Sequence, residues 1–79
     1  MADDLRLPRT IRLPFGYHVR VKQVSKKELS LRVGDDCVAG WVACDRTIYI
    51  IRARSMRDKR ADLAHELGHV IVDFAELYR

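Results

Sequence analysis

The stretch SMRDKRADLAHELGHVIVDFAELYR, residues 55–79, decides the fold, because it predicts one long helix. Ser55 is a good N-cap residue, Asp58 follows three residues later where a capping-box acid belongs, and no proline interrupts the run. At about 100° per residue, the large apolar side chains gather on one helix face, which we expect to pack against a sheet. These side chains are Leu63, Leu67, Val70, Ile71, Phe74 and Tyr78.

The opposite helix face is predicted to be polar. It holds Asp58, Asp62, His65, Glu66, His69, Asp73 and Glu76. Ala61, Ala64 and Gly68 form a flank without bulk. Glycine weakens a helix by roughly 0.5–1 kcal/mol relative to alanine. Either a neighbouring strand approaches closely at Gly68, or the glycine is incidental.

The first half of the chain predicts β-structure. Residues 17–24, YHVRVKQV, alternate as a half-buried strand does, with Tyr17, Val19 and Val21 on one side. Residues 29–33, LSLRV, continue this period after a Ser-Lys-Lys turn, so we expect a second strand there. Two strands in succession predict the start of a meander.

Two further apolar runs lie at 37–44 (CVAGWVAC) and 47–53 (TIYIIRA), separated by Asp45-Arg46, which indicates a tight hairpin. The predicted fold class is therefore α+β. We expect a small antiparallel β-meander of three or four strands, packed on one long C-terminal helix. Residues 1–14 contain two prolines and predict an extended basic arm, which leaves 15–79 as a single domain.

The composition restricts the classes of protein to consider. A chain of 79 residues makes one small domain without an apolar run long enough to span a membrane, and its N-terminus lacks the pattern of a secretory signal. Cys37 and Cys44 are too few for a disulfide framework. We expect two buried thiols in a cytoplasmic protein.

The net charge of +4 comes largely from two basic clusters. The first comprises Arg6, Arg9, Arg12, Arg20, Lys22, Lys26, Lys27 and Arg32, and the second comprises Arg52, Arg54, Arg57, Lys59 and Arg60. Basic clusters can follow a phosphate backbone. No helix-turn-helix, zinc-finger or aromatic-rich signature accompanies them, so we expect solvated surface charge rather than a nucleic-acid site.

The predicted helix carries His65-Glu66-Leu67-Gly68-His69, the H-E-x-x-H motif. Histidines four residues apart project from the same helix face, about 6 Å apart along the axis, and both can bind one Zn²⁺ at about 2 Å. Glu66 is then offset from the metal and placed to act as general base on a water molecule. The alternative is an ordinary polar helix surface.

Residues 46–73, RTIYIIRARSMRDKRADLAHELGHVIVD, resemble the active-site stretch of the ImmA/IrrE family of zincin metallopeptidases. The resemblance implies a minimal zincin-like fold, His65 and His69 as zinc ligands and Glu66 as the catalytic base of a hydrolase. Members of that family are associated with cutting a regulatory repressor. A peptide or protein substrate is therefore implied, with a repressor as one candidate.

The third zinc ligand is left open. In that family an acidic ligand comes from a later helix, and in metzincins a histidine stands where this chain has Ala75. Asp73 and Glu76 lie about 6 and 10.5 Å beyond His69 along a straight helix. Asp73 could instead orient the His69 ring by accepting a hydrogen bond from the ring nitrogen that does not bind the metal. The other possible sources of the third ligand are His18 on a strand, a second copy of the chain, or a missing part of a longer protein.

Three functions follow as hypotheses. The first is a zinc peptidase that holds extended substrate along a sheet edge, for which residues 47–53 are the expected strand. The second is a zincin-like interaction module without catalysis. The third is a small basic nucleic-acid-binding protein, whose binding would depend steeply on salt.

Overall fold

The computed structural model describes residues 6–79, so the first five residues of the predicted arm lie outside the described part. The order of elements is β1 (Thr10–Leu13), β2 (Tyr17–Val24), α1 (Lys26–Arg32), β3 (Ala39–Val42), β4 (Thr47–Ile51) and α2 (Met56–Leu77). Short 3-10 turns at Pro14–Gly16 and Ala43–Asp45 join β1 to β2 and β3 to β4. The predicted α+β class is confirmed.

The sheet has the strand order β1-β2-β4-β3 and is mixed rather than antiparallel. The pairs β1–β2 and β3–β4 are antiparallel, whereas β2 and β4 run parallel, with Val21 opposite Ile48. The expectation of an antiparallel meander is therefore wrong at the central pair. Parallel neighbours need a crossover connection, and the segment between β2 and β4 supplies it.

Part of that crossover is α1, which occupies residues 29–32 where a strand was expected. Ser25 is its N-cap, and the Ser25 Oγ accepts a hydrogen bond of 3.1 Å from the Glu28 amide. Ser25 and Glu28 have the spacing of a capping box, which favours a helix over a strand at this point. Leu29 is fully buried and Val33 packs near it, so the apolar spacing here has a helical rather than a two-residue period.

The predicted hairpin around Asp45-Arg46 is confirmed, although its strands are shorter than the apolar runs. Arg46 adopts a left-handed conformation with φ of 49°, and its guanidinium lies 4.2 Å from the centre of the Tyr17 ring. All five residues of β4 are buried. Strand β4 is therefore an interior strand, and the expectation that residues 47–53 form a sheet edge is wrong. Strands β1 and β3 are the outer strands.

Two small cores lie on the two faces of the sheet. On one face, Ile48 and Ile50 of β4 join Leu63 and Val70 of α2. On the other face, the alternating residues of β4 join Leu29 of α1. Helices therefore cover both faces, and the side chains of β4 hold the two layers together.

The predicted helix in residues 55–79 is confirmed, since α2 begins after Ser55, whose Oγ accepts a hydrogen bond of 3.1 Å from the Asp58 amide. Its buried residues are Lys59, Leu63, Glu66 and Val70. Ile71 and Tyr78 were expected on the packed face but are 48% and 43% exposed. Glu66 was expected on the polar face but is buried, because it lies three residues after Leu63 and four before Val70.

Lys59 is the other buried charged residue of α2. Its Nζ donates hydrogen bonds to the Gln23 side chain at 2.8 Å and to the Arg52 carbonyl at 3.2 Å. These bonds attach the first turns of α2 to the ends of β2 and β4. The position of α2 along the sheet, and with it the position of the H-E-x-x-H motif, depends on this contact.

Both cysteines are free thiols. Cys37 is half-buried, whereas Cys44 is exposed, so the expectation of two buried thiols is wrong for Cys44. Within residues 6–79, neither helix is long and apolar enough to cross a membrane.

Alanine substitutions at two glycines are expected to change the stability in opposite directions. A Cβ at Gly40 would overlap the side chain of Val33, whereas a Cβ at Gly68 would meet nothing within 4 Å, so no strand approaches Gly68. We expect Gly40→Ala to lower the free energy of unfolding by about 1–3 kcal/mol. Gly68→Ala is expected to raise it by about 0.5–1 kcal/mol. Urea unfolding followed by the emission of Trp41, the single tryptophan, measures both.

The double variant Gly40→Ala/Val33→Ala is the control for the overlap. Valine is stiff about its first side-chain torsion, so Val33 cannot move aside, whereas alanine makes room for the new methyl group. The destabilisation of the double variant is expected to be smaller than the sum of the two single effects. Additive effects would show that the two side chains do not meet.

Candidate metal centre

A groove runs between α2 and the outer strand β3. Strand β3 contributes Gly40 and Trp41 to its walls, and α2 contributes Glu66, His69 and Asp73. The groove lies where α2 packs over the sheet beside β3. Two residues of the H-E-x-x-H motif therefore face the same hollow.

The two histidines project from the outer side of α2, and both are exposed. The centres of the His65 and His69 rings are 5.2 Å apart, and the rings lie nearly perpendicular at 78°. Two imidazoles that share one zinc at about 2 Å from each nitrogen have ring centres about 5 Å apart at the tetrahedral angle. The observed separation fits two ligands of one zinc ion.

Glu66 differs from the histidines in its surroundings. It is only 8% exposed, because β3 and the core enclose it on two sides. Glu66 nevertheless lines the groove together with His69 and Asp73. A carboxylate at this position can accept a proton from a bound water molecule.

Asp73 is held in place from across the groove. The indole Nε1 of Trp41 donates a hydrogen bond of 2.7 Å to Asp73 Oδ2. A bond of this length to a carboxylate is charge-assisted and stronger than one between neutral groups. It joins β3 to α2 near His69. Asp73 is therefore a positioned acid at the edge of the site.

The other predicted ligands lie elsewhere. Glu76 forms an exposed ion pair of 3.5 Å with Arg79. His18 alternates with Tyr17 and Val19, which pack towards α2, so it belongs to the opposite face of the sheet. The structure thus brings His65, Glu66, His69 and Asp73 to one region of α2. Glu76 adjoins Asp73 in a separate hollow, and His18 lies on the other face of the sheet.

Asp62 precedes His65 by one helical turn and is already paired. Arg54 donates to both of its carboxylate oxygens, at 2.7 and 3.3 Å. This hydrogen bond raises the pKa of the Arg54 guanidinium above its usual value. The pair fixes the loop between β4 and α2.

The donor set fits part of a zinc site. Among residues 6–79, no three His, Cys, Asp or Glu side chains are grouped closely enough to hold a metal ion. A catalytic zinc requires three protein ligands, and His65 and His69 would be two of them. The fourth position of such a site is kept for water or substrate.

Sequence reasoning missed Trp41 as a residue of the site. Trp41 and Asp73 are 32 positions apart, and no local pattern connects a strand residue to a helix residue at that distance. Only the packing of β3 beside α2 shows the contact. A single tryptophan in a strand before a hairpin was the one available signal.

Comparisons with protein-family models, with curated proteins and with solved structures find no match to this chain.

The contact between Trp41 and Asp73 predicts a stability effect. We expect Asp73→Ala to lower the free energy of unfolding by about 1–2 kcal/mol, because it removes a hydrogen bond to a charged group. Glu76→Ala removes an exposed pair from the same helix and is expected to change it by less than about 0.5 kcal/mol. Urea unfolding followed by circular dichroism compares them. Equal effects of the two variants would refute the role of this contact.

Proposed function

We propose that this chain forms the H-E-x-x-H unit of a zinc metallopeptidase. His65 and His69 are the proposed zinc ligands, and Glu66 is the proposed general base. The observation that carries the proposal is the geometry of α2, on which two exposed imidazoles with centres 5.2 Å apart adjoin a carboxylate that opens onto a groove. The resemblance of residues 46–73 to the ImmA/IrrE family supports the same assignment.

The residues of the site have separate tasks in this proposal. Zinc, when bound, supplies a Lewis acid that polarises the scissile carbonyl and makes water more acidic. Glu66 accepts the proton of the attacking water and transfers it to the leaving amine. Burial beside β3 restricts the rotation of the Glu66 side chain, so its carboxylate stays directed into the groove. Asp73, held by Trp41, limits the movement of α2 relative to β3.

The proposed substrate is an extended peptide or a segment of a protein. Strand β3 is an outer strand, so one of its backbone edges has no strand partner among residues 6–79. A peptide that pairs with this edge would lie along the groove beside Glu66 and His69. We therefore propose β3, rather than residues 47–53, as the strand that pairs with the substrate. A regulatory repressor remains the candidate that the family resemblance implies.

We propose that the third zinc ligand comes from a second copy of this chain or from another polypeptide segment, because no third ligand is grouped with His65 and His69 within residues 6–79. Asp73 already accepts a hydrogen bond from Trp41, and Glu76 is paired with Arg79. We also propose a cytoplasmic location, which the two free thiols support.

A second candidate function is a zincin-like interaction module without catalysis. The absence of a third metal-binding side chain near His65 and His69 within residues 6–79 favours it. Such a module would present the groove to a protein partner without cutting it. Zinc binding and peptide cleavage must therefore be measured separately.

The zinc ligands predict a pattern of metal affinity. We expect about one zinc ion per chain, and a decrease in affinity of at least about tenfold in His65→Ala and in His69→Ala, because each removes a ligand. His18→Ala is the matched control and is expected to keep the affinity of the parent. Isothermal titration calorimetry with zinc measures all four proteins. A parent that binds no zinc, and whose melting temperature is unaffected by a chelator, would contradict the proposal.

The general base predicts a loss of activity without loss of metal. Glutamine has the shape of glutamate but cannot accept the proton, so Glu66→Gln is expected to slow cleavage by about 10²–10⁴-fold while it retains zinc. Mass spectrometry of a peptide library incubated with each zinc-loaded protein measures the products. A variant as active as the parent would eliminate Glu66 as the base. A parent that binds zinc and cuts no peptide would support the non-catalytic module.

A further inference from the structure

Helix α1 covers only part of its face of the sheet. It packs against Val24 at the end of β2 and against Tyr49 and Ile51 of β4, and leaves β1 and the preceding part of β2 open on this face. On this open part of the face, every second residue of β1 and β2 carries a polar side chain, and all of these side chains are exposed. We define these residues as the basic face: Thr10, Arg12, His18, Arg20 and Lys22.

The register of the sheet brings these side chains together. Arg12 is directly opposite His18, and Thr10 is directly opposite Arg20. Side chains opposite each other on antiparallel strands are about 5 Å apart, and alternate residues along a strand are about 6.7 Å apart. His18, Arg20 and Lys22 therefore form a regular row along β2, with Arg12 beside its first member.

The basic face continues into a hollow at the open end of the β1–β2 pair. Arg20 and Lys22 line this hollow together with Arg6 and Arg9, and no aspartate or glutamate of residues 6–79 lines it. Its remaining lining is largely apolar and comes from Leu7, Pro8, Val21 and Met56. The ion pairs within residues 6–79 join Glu28 to Arg32, Asp62 to Arg54 and Glu76 to Arg79. None of these ion pairs includes a residue of the basic face.

We propose that the basic face binds the phosphate backbone of double-stranded nucleic acid. Regularly spaced arginine and lysine side chains can neutralise successive phosphates, and arginine binds phosphate through two parallel hydrogen bonds. Interactions of this kind fix the position of the protein without reading the base sequence. The five residues of the basic face lie on the opposite side of the sheet from α2, and only the adjoining hollow reaches Met56 at the start of α2. None of these residues belongs to the proposed zinc site.

The composition of the surface favours this ligand over two others. A protein interface has an apolar or aromatic centre, whereas the basic face consists of polar side chains, and apolar lining is confined to the adjoining hollow. Single-stranded nucleic acid is held by bases stacked on aromatic rings. The exposed Phe15 is directed elsewhere, against the rings of Phe74 and Tyr78. A duplex backbone needs neither feature.

The test compares two variants that each remove three positive charges from a chain of net charge +4. One is Arg12→Gln/Arg20→Gln/Lys22→Gln on the basic face. Fluorescence anisotropy with a labelled duplex of random sequence, at salt concentrations from about 50 to about 200 mM, gives the affinity and its salt dependence. We expect the affinity at low salt to fall at least about tenfold. The slope of log affinity against log salt is expected to decrease by about 0.9 for each phosphate that the variant no longer neutralises.

The control variant is Arg57→Gln/Arg60→Gln/Arg79→Gln, whose three exposed side chains lie on or directly after α2. It is expected to keep the salt slope of the parent. Equal weakening of binding in both variants, or binding that does not change with salt, would overturn the proposal. So would equal competition by polyglutamate at the same charge concentration, which would indicate an acidic protein partner. Circular dichroism verifies that both variants fold, and single substitutions of Arg12, Arg20 and Lys22 provide independent values of the slope.

Discussion

The burial of β4 on both faces is the constraint on which the rest of the structure depends. Its five residues are all buried, with Ile48 and Ile50 directed towards α2 and Tyr49 and Ile51 directed towards α1. A strand of this kind must be covered on both sides, and residues 6–79 form only two helices with which to cover it. Strand β4 is therefore interior, β3 is left as an outer strand, and α2 is held beside β3 where the groove forms.

The helix that carries the site could be predicted because its signals are local. Ser55, the spacing of apolar residues and the absence of proline lie within one stretch, and each has a direct physical meaning. Helix α1 had a similar signal in Ser25 and Glu28, but LSLRV also alternates, and a short apolar run fits either period. A parallel pair such as β2 and β4 needs a crossover connection, and α1 is part of that connection. With a strand predicted in place of α1, the sheet was predicted to be antiparallel throughout.

The candidate site, like the fold, has one part that the sequence predicts and another that it does not. The four-residue spacing of His65 and His69 predicts that their rings adjoin, since one turn of helix brings them together whatever surrounds it. The burial of Glu66 and the contact of Asp73 with Trp41 depend on which strand packs beside α2. No pattern within one element contains that information. The sequence thus predicts the histidine pair, but it does not predict which residues form the walls of the groove.

The basic residues show how strand alternation sorts a cluster that looks uniform along the chain. In β2, the residues at every second position from Tyr17 to Val21 are buried towards α2, so the charged positions between and beyond them collect on the other face. Lys59 and Arg54, from the second cluster, are instead used within the fold, one in hydrogen bonds and the other in an ion pair. Sequence clusters of like charge therefore have different consequences. Only the first produces a contiguous surface within residues 6–79, on the side of the sheet that the histidines of α2 do not occupy.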